Sequence, residues 1–414
     1  MKKRIVFSSA GVFLLALVLL LALWRQDEAL DPLAQQWLAQ AHGSGPSQAY
    51  YQLLGMGAPA EQHAQDYGRQ WHEDHWQWRA THPLSIEMPA PEPALPVPDQ
   101  SLCRVSLPGC AEKLAAQKLQ GIDWLSTYER LLERYLDLLT LDDYRTLSEP
   151  SSDAPMPHYM ALERANRLFA LHIWQLAEQG QGALAQRLLE HNVTLLRAWL
   201  GRADTLILKV LLINLISHDL DTLAWLYQHD LIGLPQRQAP LSEAERSFAP
   251  ALAHEFAVIA RGMAGLDQDM AAQGMEDWQL QWLFKPNMSI NDLAQRFKPV
   301  QARAELIAQG LEPHAAQAPV QPSSRWRDWR NAIGQVLAQV AMPDPNQYLD
   351  RVLDLNRKLA LYNQLGQLTP DSANWSAERQ AYCVQGPSDD RQGLRCVPWL
   401  APEQAKSATA PAPD

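Results

Sequence analysis

Cysteine is scarce in this chain of 414 residues, with four in all, and none directly follows the N-terminal apolar run, so a bacterial lipoprotein signal is absent. Also missing is any alternating run of β-branched residues long enough to build a sheet. No P-loop, C-x-x-C or G-x-S-x-G nucleophile elbow occurs. Gly55, Gly57 and Ala60 echo a dinucleotide fingerprint, but Pro59 and the lack of a preceding strand rule it out. Basic residues are the minority sign: 35 against 46 acidic, a formal net charge of -11, which argues against a phosphate-binding surface spread over the molecule. No nucleic-acid partner and no cofactor are expected. Long apolar runs are limited to one, so at most one membrane span is available.

What is present is a globular composition, 47% hydrophobic and 20% charged, with length for about two or three domains. Residues 1–4 carry Lys2, Lys3 and Arg4. Residues 5–24, Ile5 to Trp24, follow as an uncharged run of twenty. At about 1.5 Å of rise each, that run would cross the roughly 30 Å hydrocarbon layer as one helix, with Trp24 at the far interface. It is longer than the apolar stretch of a cleavable signal and ends in Leu23, Trp24, Arg25, Gln26 with no small-x-small site, so an uncleaved signal anchor is expected. Lys2 to Arg4 on one side, against Arg25, Asp27 and Glu28 on the other, place the N-terminus in the cytoplasm and the rest in the periplasm.

The cysteines fit that topology. Cys103 and Cys110 lie seven positions apart beside Pro108 and Gly109; Cys383 and Cys396 lie thirteen apart around Gly386, Pro387 and Gly393. Neither spacing is the ligand gap of common structural zinc sites. Four Cys allow three pairings, but each of these pairs brackets a short loop that could close alone, with about 2.5 to 3 kcal/mol of stabilisation on the chain-entropy model. Two local disulfides are expected, and with them an oxidising compartment.

Between those landmarks the pattern is helical. Residues 25–88 read as an N-terminal helical region with a short helix from Asp31 to Gln40. Residues 89–110 are a Pro-rich connection with the first disulfide loop. Residues 111–368 form the main helical domain, in which Leu131, Leu132, Tyr135, Leu136 and Leu139, then Leu162, Ala165, Phe169, Ile173 and Leu176, recur with a period near 3.6. Helices are expected from Ala183 to Leu200, stopped by Gly201; from a cap at Asp204 to His229; from Trp326 to Val340; and from Gln347 to Leu368. Pro286 should end a further helix. Residues 369–405 hold the second disulfide loop, and 406–414 an Ala- and Pro-rich disordered tail. The fold class is all-α, an irregular multi-helix bundle, solenoid-like at most in part because no fixed repeat period runs through the chain.

Tyr50 to Gly55, Cys103 with Cys110, Tyr128, Leu131, Leu132 and Tyr135, and the late run Tyr348, Arg351, Asp354, Leu355 together resemble a family of N-terminally anchored helical envelope proteins of Gram-negative bacteria. The resemblance implies location and fold. It carries no activity and no catalytic residue.

Three constellations could carry chemistry. His72 and His75 share a helix face at i, i+3 and could start a metal site, although the H-E-x-x-H spacing is absent; a polar, exposed helix end is the structural alternative. Lys209 sits in a helix apolar on every side, from Leu206 to Ile216, which belongs at the centre of a core. Glu255, in a second apolar run with His254, is its expected partner. That buried pair is either a satisfied charge or, with His218 or His254, an acid and base of shifted pKa. Trp326 and Trp329, interleaved with Arg327 and Arg330 behind Ser323 and Ser324, would suit an interaction surface, as would Trp278 with Trp282. The expected function is a membrane-anchored scaffold, assembly factor or chaperone contacting another envelope protein. An envelope hydrolase or transferase using the Lys/Glu/His groups is the alternative.

Overall fold

A computed structural model describes residues 2–41, 45–82, 94–272, 274, 282–313, 325–340, 346–368, 375–376, 379, 381–386 and 394–398, without the side chains of residues 2–11, 267–272, 325, 326 and 328. The prolines from Pro89 to Pro93, Ser323, Ser324, Trp278 and the 406–414 tail lie outside the described residues. Among the described residues the architecture is helical apart from one very small sheet near the C-terminus.

Helix α1 (Lys2–Arg25) leads through an extended strap into α2 (Pro32–Gln40). The Asp31 carboxylate accepts from the Leu33 N–H at 2.8 Å, and Pro32 presets φ where no N–H is needed, so α2 starts where the sequence places it. Helix α3 (Gln48–Leu54) starts likewise, with Ser47 Oγ accepting from Tyr50 N–H at 3.0 Å. A 3-10 turn over Gly55–Gly57 then swings the chain into α4 (Ala64–Thr81). Backbones meet where these two helices cross: a Cβ on Gly68 would overlap the carbonyl of Tyr51, and one on Gly55 the carbonyl of Ala64. Buried Arg134 closes the turn by donating to the carbonyls of Met56, Ala58, Pro59 and Gln62 at 2.6 to 3.1 Å. One guanidinium thus serves four carbonyls, of which Pro59 also accepts from the Gln62 N–H at 3.1 Å.

Next come α5 (Cys110–Leu119), α6 (Trp124–Thr127) and α7 (Glu129–Leu139), the last burying Leu131, Tyr135, Leu138 and Leu139 along one stripe. The middle of the body is α8 (Tyr159–Glu178), α9 (Gly182–Arg202) and α10 (Leu206–Gln228). Each of these three packs on the other two, a bundle arrangement in which contacts are not confined to neighbours in a row. Helix α10 is the central one. It also touches α12 (Ala249–Ala272), which follows the short capping-box helix α11 (Glu243–Arg246). Then come α13 (Pro286–Ala308), α14 (Arg325–Arg330), α15 (Ala332–Val340) and α16 (Asn346–Tyr362), of which α13 packs on α2 and α12, and α16 on α10. A single contiguous hydrophobic core runs from Ala34 to Val397.

Several expected boundaries move. Gly201 does not stop α9, which continues to Arg202. The cap of α10 is Thr205, whose Oγ1 accepts from Leu208 N–H, while Asp204 accepts from the Thr146 N–H and hydroxyl at 2.7 and 2.8 Å and ties the preceding connection to this corner. The stretch Trp326–Val340 is two helices broken at Asn331, whose buried side chain accepts from Lys285 N–H (2.8 Å) and donates to Ser289 Oγ (3.0 Å). A helical stretch does end at Leu283, just before Pro286, which itself begins α13, and α16 stops at Tyr362 before a 3-10 turn over Leu365–Gln367.

The chain does form strands. β1 (Trp375–Ser376), β2 (Ala381–Cys383) and β3 (Cys396–Pro398) make an antiparallel sheet in that order, and β3 packs on α10 and α16. Strands of two or three residues are too short to show a period of two, which is why the sequence pattern misses them. Cys383 and Cys396 face each other across β2 and β3 and are disulfide-bonded, as are Cys103 and Cys110; no described cysteine is free.

Gly68→Ala should destabilise the protein by about 3 kcal/mol, because the methyl group meets backbone that cannot rotate away. Gly262→Ala, in the interior of α12 with open space around it, should be neutral or stabilising by up to about 1 kcal/mol. Urea midpoints of the two variants against the parent check both.

Candidate functional site at the root of helix α1

From Val12 to Leu23 every residue of α1 is exposed, with apolar side chains pointing to all sides of the helix. No face of that stretch packs on the body. No helix among the described residues is long and apolar enough to cross a membrane; the side chains of the first seven positions of the expected span, Ile5 to Gly11, lie outside them.

The helix is nevertheless fastened firmly at its end. Trp24 Nε1 donates to the Trp282 carbonyl at 3.0 Å, and the two indoles lie 6.2 Å apart. Asp27 then reaches across to the start of α13, where its carboxylate accepts from the N–H groups of Asn287 (2.8 Å) and Met288 (3.2 Å). It is an N-cap supplied from elsewhere in the chain, and it places a negative charge at the positive end of a 23-residue helix. Asn287 and Asn291 donate to the carbonyls of Glu28 and Ala29 at 2.9 and 3.0 Å, and Asp31 N–H donates to Asn291 Oδ1 at 2.7 Å. Arg327 forks onto both oxygens of Glu28 at 3.0 and 3.2 Å and also binds Asp292, while Arg330 donates to the Gln26 carbonyl. Burial pulls the Arg327 guanidinium down, but Glu28 and Asp292 outweigh it and its pKa is raised.

Arg327 and Arg330, expected as part of an outward surface, are therefore turned onto the strap. Their sequence neighbour Trp329 remains 71% exposed, and the side chain of Trp326 lies outside the described residues. Leu283, beside Trp282, is also exposed. Sequence reading found the Trp and Arg residues but missed Asp27, Asn287 and Asn291, whose pairing joins positions some 260 residues apart.

The other expected constellations come apart. Lys209 is buried, but its ammonium donates to the Leu200 carbonyl at 3.1 Å and sits 5.2 Å from the Phe248 ring centre. It forms no ion pair with Glu255. Glu255 lies seven residues beyond Phe248, roughly 10 Å further along α12, and is only half-buried. Burial lowers the Lys209 pKa to about 7 against an opposing pull from Glu245, which is itself gripped by Arg197 at 2.6 and 3.0 Å. Burial raises Glu255 and lowers His254.

His218 belongs instead to a group no sequence pattern announced. Its Nδ1 donates to Asn166 Oδ1 at 2.8 Å; Asn166 and Asn192 donate to the two oxygens of Asp219 at 3.0 and 2.6 Å, and both contact the Tyr135 hydroxyl. Burial lifts Asp219 to about 7 and pushes His218 far down. The network links α7, α8, α9 and α10, and none of its members is more than 2% exposed. It holds helices in register, with no opening to a substrate.

His72 and His75 are likewise buried, where a polar exposed helix end was the structural alternative. His72 Nε2 accepts from Trp76 Nε1 at 3.1 Å with its ring edge-on to Tyr50 and Tyr51, and His75 Nε2 meets the Asp153 carbonyl at 2.8 Å. They seat α4 on its neighbours. No three His, Cys, Asp or Glu side chains gather as a metal set among the described residues. The cleft bounded by Leu114, Lys118, Trp124, Leu171, Trp174 and Glu178, about 250 Å³, holds none of the expected site residues.

Compared with known proteins, the sequence matches no family model and no curated protein, and no solved structure matches it.

Two outcomes follow for Lys209. Its folded pKa, about 7, lies below the ordinary 10.5, so the unfolded chain binds more protons between those values. Stability should therefore rise with pH across that window, by an amount on the order of a few kcal/mol, with the penalty complete below it. Lys209→Met should lack the rise in denaturation curves from pH 6 to 10. In a double-mutant cycle with Glu255→Gln, the coupling energy should stay within about 0.5 kcal/mol, as for residues that do not touch.

Proposed function

We propose that this chain is a single-span membrane protein, its N-terminus cytoplasmic and its helical body periplasmic at the inner membrane, acting by contact with another envelope protein as a scaffold, assembly factor or chaperone. The observation that carries this reading is α1, apolar and exposed on all sides from Val12 to Leu23 yet bonded to the body at its root. A soluble surface does not keep so much contiguous apolar area in water. The uncharged run from Ile5 to Trp24 supplies the length for a span, and Lys2 to Arg4 the cytoplasmic flank. Two disulfides, each closing a short loop, suit an oxidising compartment. The resemblance to anchored helical envelope proteins of Gram-negative bacteria points the same way. For a hydrolase or transferase the Lys209 and Glu255 pair would have to meet, and its two members do not.

A reporter that is active only after export, fused behind Asp414, should be active, and the full-length protein should stay with membranes after an alkaline carbonate wash. Removal of residues 2–24 should abolish both. A protein that fractionates as soluble, or a silent reporter, overturns the reading.

A further inference from the structure

The root of α1 carries a second feature that the strap does not use up. Trp24 and Trp282 lie side by side at the end of the apolar helix, their rings tilted 42° to each other. Leu283, next in the chain, is 47% exposed, and Trp329, flanked by Arg327 and Arg330, is 71% exposed. Arg330 bonds the carbonyl of Gln26, two residues past Trp24, so Trp329 stands at the level of the helix end. Arg25, in the last turn of α1, is exposed at that level too.

We infer that Trp24, Trp282, Leu283 and Trp329 form a collar by which the body rests in the headgroup region of the phospholipid bilayer that α1 enters. The inference rests on the anchor reading of α1 and goes beyond it, since a span can be joined to its body by a free linker that leaves the body anywhere above the membrane. Here the linker is absent: residues 24–31 are bonded to α13, α14 and the segment before them, so the body cannot rise from the helix end. Geometry then decides the occupant. Twenty residues from Ile5 to Trp24 take up the roughly 30 Å hydrocarbon layer, which leaves Trp24 at its edge and the adjoining side chains among the headgroups. Tryptophan and arginine are the residue types that favour that layer, the indole for its apolar body with one N–H, the guanidinium for phosphate. A second copy or another protein seated on the same side chains would have to displace the bilayer from the foot of its own span.

All four cysteines are in disulfides, so one introduced cysteine is the only free thiol. Full-length Trp329→Cys, Leu283→Cys, Leu19→Cys and Leu119→Cys, each labelled with bimane, would be placed in phosphatidylethanolamine and phosphatidylglycerol bilayers containing lipid spin-labelled near the headgroup. Labels at 329 and 283 should shift to the blue and lose emission to a degree comparable with Leu19→Cys, while Leu119→Cys on α5 should keep its emission. Quenching at Leu19→Cys without quenching at 329 and 283 overturns the collar and leaves the anchor standing. No quenching at Leu19→Cys overturns both. Protection of 329 and 283 that depends on protein concentration and not on lipid assigns the face to a second copy and overturns the lipid contact. All three exposed body positions should tolerate substitution, and circular dichroism of each variant establishes that the readout is of a folded protein.

Discussion

The attachment of α1 depends on a carboxylate that closes a helix it does not belong to. Asp27 satisfies two N–H groups at the start of α13 that the helix cannot satisfy for itself, and a cap of this kind contributes about 0.5 to 2 kcal/mol. Its larger effect is geometric. Because α13 packs on both α2 and α12, fixing Asp27 fixes where α1 leaves the body, and the amides of Asn287 and Asn291 extend the same attachment along the strap. Glu28 and Asp292 then have a shared cation in Arg327, so three chain segments far apart in sequence meet at one guanidinium. Partly buried and forked, such a group has more effect than an isolated surface pair.

A second constraint operates in the interior. Helix α10 is too apolar to choose a rotational setting by hydrophobicity alone, since any face would bury equally well. The side chains of His218 and Asp219 remove that freedom. Asp219 must find both Asn166 and Asn192, and a rotation or slip of one residue would leave a buried carboxyl and two buried amides without partners, a cost of several kcal/mol. On the other side of α10, Lys358 reaches Asp221 at 2.6 Å and Ser217 at 2.7 Å and sets α16 in the same way.

What the sequence makes legible divides along physical lines. Local information was readable: the helical periods of α7 and α8, the short helix near Asp31 to Gln40, the two disulfide loops and the centrality of α10 all follow from residues within a few turns of one another. Pairing across the chain was not. Lys209 and Glu255 suggest each other because both are charges in apolar runs, yet the lysine finds a carbonyl one helix away and an aromatic face, which a list of charged residues does not contain. Arg327 and Arg330 read as a surface because the carboxylate and carbonyl that claim them stand about 300 positions earlier. A cap misplaced by one residue, Asp204 for Thr205, arises because Asp204 is drawn off by Thr146.

These constraints bear on how the molecule can act. Asp219, His218 and Lys209, whose proton affinities burial shifts strongly, are each at most 1% exposed, so their altered chemistry is a consequence of burial and has no route to a substrate. Exposed apolar side chains, by contrast, cover α1 from Val12 to Leu23, and Leu283 and Trp329 are exposed beside the segments that hold its root. Water penalises that exposure and a bilayer does not. With α1 held by Asp27 and Arg327, the orientation of the helical body is tied to the direction of α1, and the strap sets the angle at which that helix leaves the body.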